Sequence, residues 1–277
     1  MTSERMKNLA VRVVSALSAV GILIATFLFF GISGIVIACL LLQILVIREG
    51  LNLINWSPLS KDFKHYLGVF IYGLFLMILF VEPYRFHILI LALTVGLALS
   101  VQWRAGESLE TLQNLQGRAL LVTVYLAVFP ALLIDLLFKY QGGLWFLSLL
   151  MMVFAGDVGA YAFGVTMGKR HVLPTISPKK TWEGAIGGFL STLLCAFVIH
   201  QSSSIGIPLA AWLAMASLIS VVAQSGDFFE SLLKRVANVK DSGAIMPGHG
   251  GVLDRIDGLL FAAPIMSIAI SLFDRWI

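Results

Sequence analysis

The run Gly143-Leu-Trp-Phe-Leu-Ser-Leu-Leu-Met-Met-Val-Phe-Ala-Gly-Asp-Val-Gly-Ala-Tyr-Ala-Phe-Gly164 holds a single charged side chain, Asp157. A helix needs about 20 mostly apolar residues to cross a bilayer, so this stretch reads as a membrane span with an acid set into it. Eight further runs share its character: 12–30, 31–48, 66–81, 86–102, 118–138, 184–200, 207–225 and 256–275. The first two are joined only by Gly31-Ile-Ser-Gly34, which predicts a tight helical hairpin. The third and fourth are short and meet at Val81-Glu-Pro-Tyr84, which leaves a tilted or a re-entrant pair open. The chain is therefore expected to be all-α and polytopic, an integral membrane protein with about nine transmembrane helices.

Composition agrees. Of 277 residues, 59% are hydrophobic and 12% charged, against about 45–50% and about 25% in soluble globular chains. An ordinary soluble enzyme, a disordered chain and a nucleic-acid-binding domain are excluded. The net charge of +4 reflects the excess of Lys and Arg that cytoplasmic loops carry, so no nucleic acid is expected as a partner. Cys39 and Cys195 lie inside apolar runs and give neither a disulfide framework nor metal-ligand spacing. Charges near Arg12, with no small-residue cleavage site after a short apolar core, argue against a removed signal peptide.

Nine spans place the termini on opposite sides. With the N-terminus inside, only Arg85, Lys139 and Arg275 of the 19 basic residues fall outside. That asymmetry supports both count and orientation; the cytoplasmic (inner) membrane, with the active site facing the cytoplasm, is the expected location.

Acids are scarce, so their positions are informative. Asp157, Glu183, Asp227, Glu230, Asp241, Asp254 and Asp257, seven of the fifteen, lie between 157 and 257. Charges in the N-terminal half stand mostly at loop edges. Acids near apolar helices are costly and are functional candidates by default. Around Asp157, Gly156, Gly159, Ala160 and Gly164 form a small-residue face that another helix can approach. Next comes Leu173-Pro-Thr-Ile-Ser-Pro-Lys-Lys-Thr-Trp-Glu-Gly184, whose prolines forbid a regular helix. Ser177, Lys179, Lys180 and Thr181 there offer hydroxyls and cations just before a helix N-terminus, a setting suited to phosphate. A basic loop touching anionic lipid headgroups is the plainer alternative.

The longest polar cluster runs from Gly226 to Asp257. Asp227, Glu230 and Lys234 share a helix face, as do Asp254 and Asp257 at the start of the last span. Paired acids near lipid need a cation to offset their repulsion, and hard oxygen ligands suit Mg²⁺ with substrate phosphate completing the shell. The glycines flanking His249 permit close backbone approach to a ligand. Carboxylates, lysines, hydroxyls and glycines at one membrane face are the equipment of phosphoryl or nucleotidyl transfer. No GxxxxGK[ST] phosphate loop is present.

This last cluster resembles the signature of the phosphatidate cytidylyltransferase (CDP-diacylglycerol synthase) family. Ser231, Lys234, Arg235, Lys240, Asp241, Gly243, Pro247, His249, Gly250, Gly251, Asp254, Arg255 and Asp257 stand at the matching positions, with Met246 where the family usually has Leu, Ile or Phe. Asp157-Val-Gly-Ala-Tyr161 and Ser177-Pro-Lys-Lys-Thr-Trp182 look like family elements in the family order. The resemblance is strong over roughly 150–260; the earlier spans match only in being apolar. It implies that CTP and phosphatidic acid give CDP-diacylglycerol and pyrophosphate, with Mg²⁺ required, alone or with a second cation.

Under the resemblance, Asp227, Asp254 and Asp257 are assigned to the metal, and Lys234, Lys240 and Arg255 to phosphates. Ser177, Lys179, Lys180 and Thr181 are assigned to a nucleotide or lipid phosphate. Asp241, His249, Gly250 and Gly251 are placed at substrate, and Asp157 on the floor of a polar cavity at the cytoplasmic side of the C-terminal half. The chain is divided into N-terminal transmembrane helices, 1–140, and a C-terminal catalytic transmembrane region, 141–277. Membrane lipid is a partner, and a homodimer stays open.

An ion-coupled transporter also sets acids into spans, but it predicts inverted repeats and midplane polar groups, and the sequence shows neither. A CTP-dependent lipid-alcohol kinase would leave no cytidine on the lipid. CDP-alcohol phosphotransferases carry an Asp-Gly-x2-Ala-Arg element that is absent from this sequence.

Two expectations concern access. Gly156, Gly159, Gly187 and Gly188 are expected to leave the cavity loosely closed towards lipid, with close helix packing as the alternative. Segments 165–183 and 226–255 are expected to face the cytoplasm. Single cysteines at Lys180 and Asn238, in a background lacking Cys39 and Cys195, then react with a membrane-impermeant thiol reagent only after the membrane is opened. Labelling of either in intact cells overturns the orientation.

Overall fold

The computed structural model describes residues 3–54, 61–81, 87–92, 108–139, 143–203, 206–245 and 250–273. Among them seven helices are long and apolar enough to cross a membrane: Ala25–Asn52, Phe63–Phe80, Gln113–Asp135, Leu144–Met167, Trp182–Ser202, Leu209–Val236 and Leu253–Phe273. The chain is a helical, polytopic membrane protein. Of the two other expected spans, 12–30 falls in the helical run upstream of Gly31, and most of 86–102 lies outside the described residues. Helix α1 (Ser3–Asn52) breaks at Gly31, with φ 61° and ψ −153°. That conformation favours glycine, and the break falls on the first residue of the expected connection.

The chain forms two compact units. One comprises residues 1–131 and 236–255, so the loop before the last helix belongs with the N-terminal helices. Its helices are α1, α2 (Lys61–Phe80) and α3 (Leu109–Thr123); α3 passes through a π-helical turn at Val124–Val128 into α4 (Phe129–Asp135). Pro130 has no N–H to give the Leu126 carbonyl four residues earlier. Gln43 of α1, 3% exposed, donates its Nε2 to that carbonyl at 2.5 Å. Gly50 lets α1 approach the same turn, since a Cβ there would come within 2.6 Å of Leu126 Cδ1.

The other unit comprises residues 132–235 and 256–277. It holds α5 (Leu144–Met167), α6 (Trp182–Ser202), α7 (Leu209–Val236) and most of α8 (Leu253–Phe273). A two-stranded antiparallel hairpin, β1 (His171–Leu173) with β2 (Ser177–Thr181), joins α5 to α6. Trp145 and Trp212 are both fully buried, and Trp212 Nε1 donates to the Ala196 carbonyl at 2.8 Å.

The glycines expected to flank a lipid access route instead bring α5 and α6 into contact. A Cβ on Gly188 would stand 2.8 Å from the Gly156 carbonyl oxygen, and one on Gly159 2.9 Å from that of Gly187. All four are buried, and Thr192 Oγ1 donates across the interface to the Met152 carbonyl at 3.2 Å. Small residues on both helices close the gap because nothing keeps the backbones apart. Gly188→Leu therefore lowers the melting temperature in detergent by the equivalent of about 1–3 kcal/mol, the usual cost of overpacking. If the substrates are those the resemblance implies, it shifts the apparent Michaelis constants for lipid and nucleotide alike; a selective rise for the lipid would restore the access route.

Candidate active site

The hairpin and its two flanking helices are tied together before any substrate is considered. Thr181, the N-cap of α6, accepts from Gly184 N at 3.2 Å. Glu183 Oε2 accepts from the amides of Lys169 and Arg170 at 3.0 and 3.2 Å. Arg235 Nε donates to the Ile176 carbonyl at 3.1 Å, holding the C-terminal end of α7 to the hairpin turn. Together these contacts set the orientation of Lys179 and Lys180 on β2.

A cavity of about 390 Å³ opens in this unit, lined by Asp157, Lys179, Lys180, Thr181, Asp227 and Phe228 among others. Its size falls within the range of ligand sites, about 300–1,000 Å³. Lys180 Nζ pairs with Asp227 Oδ2 and stands 4.3 Å from the centre of the Phe228 ring. Five of the residues expected at the site from sequence thus line one cavity.

Asp257 stands beside this group. Gly226 admits α8 against α7, since a Cβ there would lie 2.9 Å from the Asp257 carbonyl oxygen. The Asp257 side chain accepts from Gly258 N at 2.8 Å, meets the Glu230 carboxyl, and faces Asp227 and Lys234. Glu230 is fully buried, and Lys234 Nζ donates to its Oε2 at 2.6 Å. Lys234, expected at a phosphate, is here the ion-pair partner of Glu230. Sequence reasoning saw Glu230 on the face of Asp227 and Lys234 but did not place it in the site.

In the other unit, the loop before α8 closes on Asp254. Its Oδ2 accepts from Ser242 N at 2.8 Å, Ser242 Oγ at 2.9 Å and Gly251 N at 2.8 Å. Gly250, with φ 85°, supplies the left-handed turn, and a Cβ on it would lie 3.2 Å from Asp241 Cβ. Asp241, Gly250, Gly251 and Asp254 are therefore neighbours. Lys240 and Arg255 are exposed. Ser177 pairs with Leu173 in the hairpin. His249 lies outside the described residues. Glu49 was missed altogether: 4% exposed, it accepts from Leu253 N at 2.9 Å. An acid near the end of a long apolar run was its one signal.

Among the described residues no group of three or more His, Cys, Asp and Glu side chains encloses a metal position. Mg²⁺, however, generally takes one or two carboxylates from a protein and completes its shell with water and phosphate. Asp227 and Asp257, whose carboxylates interact electrostatically, are donors of that type.

The sequence model of a family described as the cytidylyltransferase family matches residues 10–273. The chain belongs to the cytidylyltransferase family. The match takes in residues of both compact units. A phosphatidate cytidylyltransferase of Thermotoga maritima is 30% identical over 277 residues, covering 97% of this chain and 98% of that protein. One of Bacillus subtilis is 43% identical over 123 residues, 44% of this chain and 46% of its own length. One of Haemophilus influenzae is 41% identical over 132 residues, 46% of each. The chain spans about half the length of these last two relatives.

The Lys180–Asp227 pair is partly open, with side chains 29% and 39% exposed, and such pairs add little stability. Lys180→Met is therefore expected to leave the melting temperature nearly unchanged. It lowers nucleotidyl transfer by about 10²–10³-fold, the loss that follows removal of one preorganised charge-stabilising group. Unaltered turnover in this variant would remove Lys180 from the site.

Proposed function

We propose that the protein transfers the cytidylyl group of CTP to phosphatidic acid, giving CDP-diacylglycerol and pyrophosphate, at the cytoplasmic face of the inner membrane. The observation that carries this reading is the cavity in which Lys179, Lys180, Asp157 and Asp227 converge within a unit of apolar helices. A soluble nucleotide needs the cations, and a substrate anchored in lipid needs the helices. The phosphatidate relatives and the family match support the same reaction.

The chemistry asks little of a general base. A phosphate oxygen of phosphatidic acid, already ionised near neutral pH, attacks the α-phosphorus of CTP. The new P–O bond forms as the bond to the β-phosphate oxygen breaks, and pyrophosphate leaves. Positioning and charge neutralisation carry the rate. Lys179 and Lys180 hold phosphate oxygens, and Asp227 orients Lys180 through their ion pair. Asp227 and Asp257 are the residues of this unit proposed to hold Mg²⁺, which when bound neutralises phosphate charge. Asp254, in its own unit, is proposed to serve the same metal-dependent chemistry, its Oδ2 fixed by three donors.

The test is purified protein in detergent with phosphatidic acid, Mg²⁺ and CTP labelled on the α-phosphate. The label is expected in lipid, with pyrophosphate as co-product and no transfer after chelation. Label confined to released CDP would point to a CTP-dependent lipid kinase and overturn the reading. Asp227→Asn, Asp254→Asn and Asp257→Asn each cost about 10²–10³-fold in turnover with the fold retained. Wild-type activity in all three would refute the carboxylate assignment.

A further inference from the structure

Glu49 is an expensive residue. It sits near the end of the apolar helix α1 and is 4% exposed, and its Oε1 has no hydrogen-bond partner among the described residues. A carboxylate buried this way is a poor source of stability, because a well-packed apolar side chain avoids the desolvation cost. What it does achieve is local geometry. Oε2 accepts from Leu253 N, the residue before Asp254, at 2.9 Å. The same oxygen lies 3.3 Å from Ser242 Oγ. Ser242 in turn meets Asp254 Oδ2 twice, through its amide at 2.8 Å and its hydroxyl at 2.9 Å. Glu49 thus holds both the chain that carries Asp254 and the residue that orients it.

The loop is shaped around this carboxylate. A Cβ on Gly243 would run into Glu49 Oε1, and one on Gly251 would stand 2.5 Å from its Oε2. Both glycines belong to the pattern read in the sequence, so Glu49 gives two of that pattern's positions a steric reason.

We infer that Glu49 is a positioning residue that acts through Asp254, seating Ser242, Gly243, Gly251 and the first turn of α8 so that the Asp254 carboxylate has one fixed orientation. The inference rests on the proposed role of Asp254 and is tested so that the two can fail separately. Acceptance from Leu253 N requires an oxygen at the right distance, not a charge; the single Ser242 hydroxyl proton lies between the two carboxylates, nearer Asp254 Oδ2 at 2.9 Å than Glu49 Oε2 at 3.3 Å. Glu49→Gln keeps that oxygen, whereas Glu49→Asp withdraws it by one methylene.

Both variants are made in the wild type and in Asp254→Asn, and are followed by turnover, melting temperature and amide hydrogen exchange of peptides covering 240–256. Glu49→Asp is expected to lose about 10–100-fold in kcat, the usual effect of disturbing a group that orients a ligand. It also speeds exchange in the 240–256 peptides without substrate or metal. Glu49→Gln keeps most of kcat and the slow exchange. In the Asp254→Asn background Glu49→Asp adds little further loss. Should Glu49→Asp not fold, Ser242→Ala removes the hydroxyl that the two carboxylates share and carries the same expectation of non-additivity. A folded Glu49→Asp with wild-type kcat, an equal loss in Glu49→Gln, or losses that multiply with Asp254→Asn would each overturn the inference. Full activity of Asp254→Asn would instead overturn the role of Asp254, and the inference would fall with it.

Discussion

A carboxylate set into a helix made for lipid has to be met by cations or N–H donors, and both compact units are organised around that requirement. In one, Asp227 is met by Lys180 from the hairpin, Glu230 by Lys234 one turn along its own helix, and Asp257 faces both acids. In the other, Asp254 and Glu49 are met chiefly by amides and one hydroxyl. The two solutions suit different tasks. A lysine can exchange its carboxylate for a phosphate oxygen, because both offer anionic oxygen acceptors to its ammonium. A backbone amide cannot follow a ligand, so it fixes a side chain in place. The cation-rich group is equipped to receive substrate, and the amide-rich loop to hold one orientation.

Much of this was legible in the sequence, and the failures have physical causes. Apolar runs located the spans, but the run read as 207–225 is a helix from Leu209 to Val236. Hydropathy ends where Asp227 and Glu230 begin, while helical hydrogen bonding continues through them. Glu230 was visible on its face, yet an i,i+4 pair with Lys234 looks the same on paper whether solvated or buried; only packing makes it fully buried. Glu49 was overlooked because an acid at the end of an apolar run resembles a loop edge, and its partners lie 193 and 204 residues away. The hairpin was read only as a segment barred from helix, since prolines say what a chain avoids and not what it pairs with.

The glycines carry a related lesson. Those on α5 and α6 were expected to leave a gap and instead bring the two backbones together. Gly243 and Gly251 accommodate a buried side chain from another helix, while Gly250 and Gly31 supply positive φ. One residue type serves three physical ends, and spacing alone does not separate them.

The distance along the chain between Glu49 and its partners bears on how the protein is assembled. The helix carrying the acid is synthesised long before the loop that satisfies it, and closing so long a connection is slow. Until the loop arrives, a carboxylate deep in hydrocarbon would be costly. Glu49 stands three residues from the end of α1 at Asn52, close enough to the helix terminus for water to reach it in the interim. The amide of Leu253, once made, can take that place. The carboxylate's hydrogen bond to Leu253 N thus ties the end of α1 to the first turn of α8 within one folded unit.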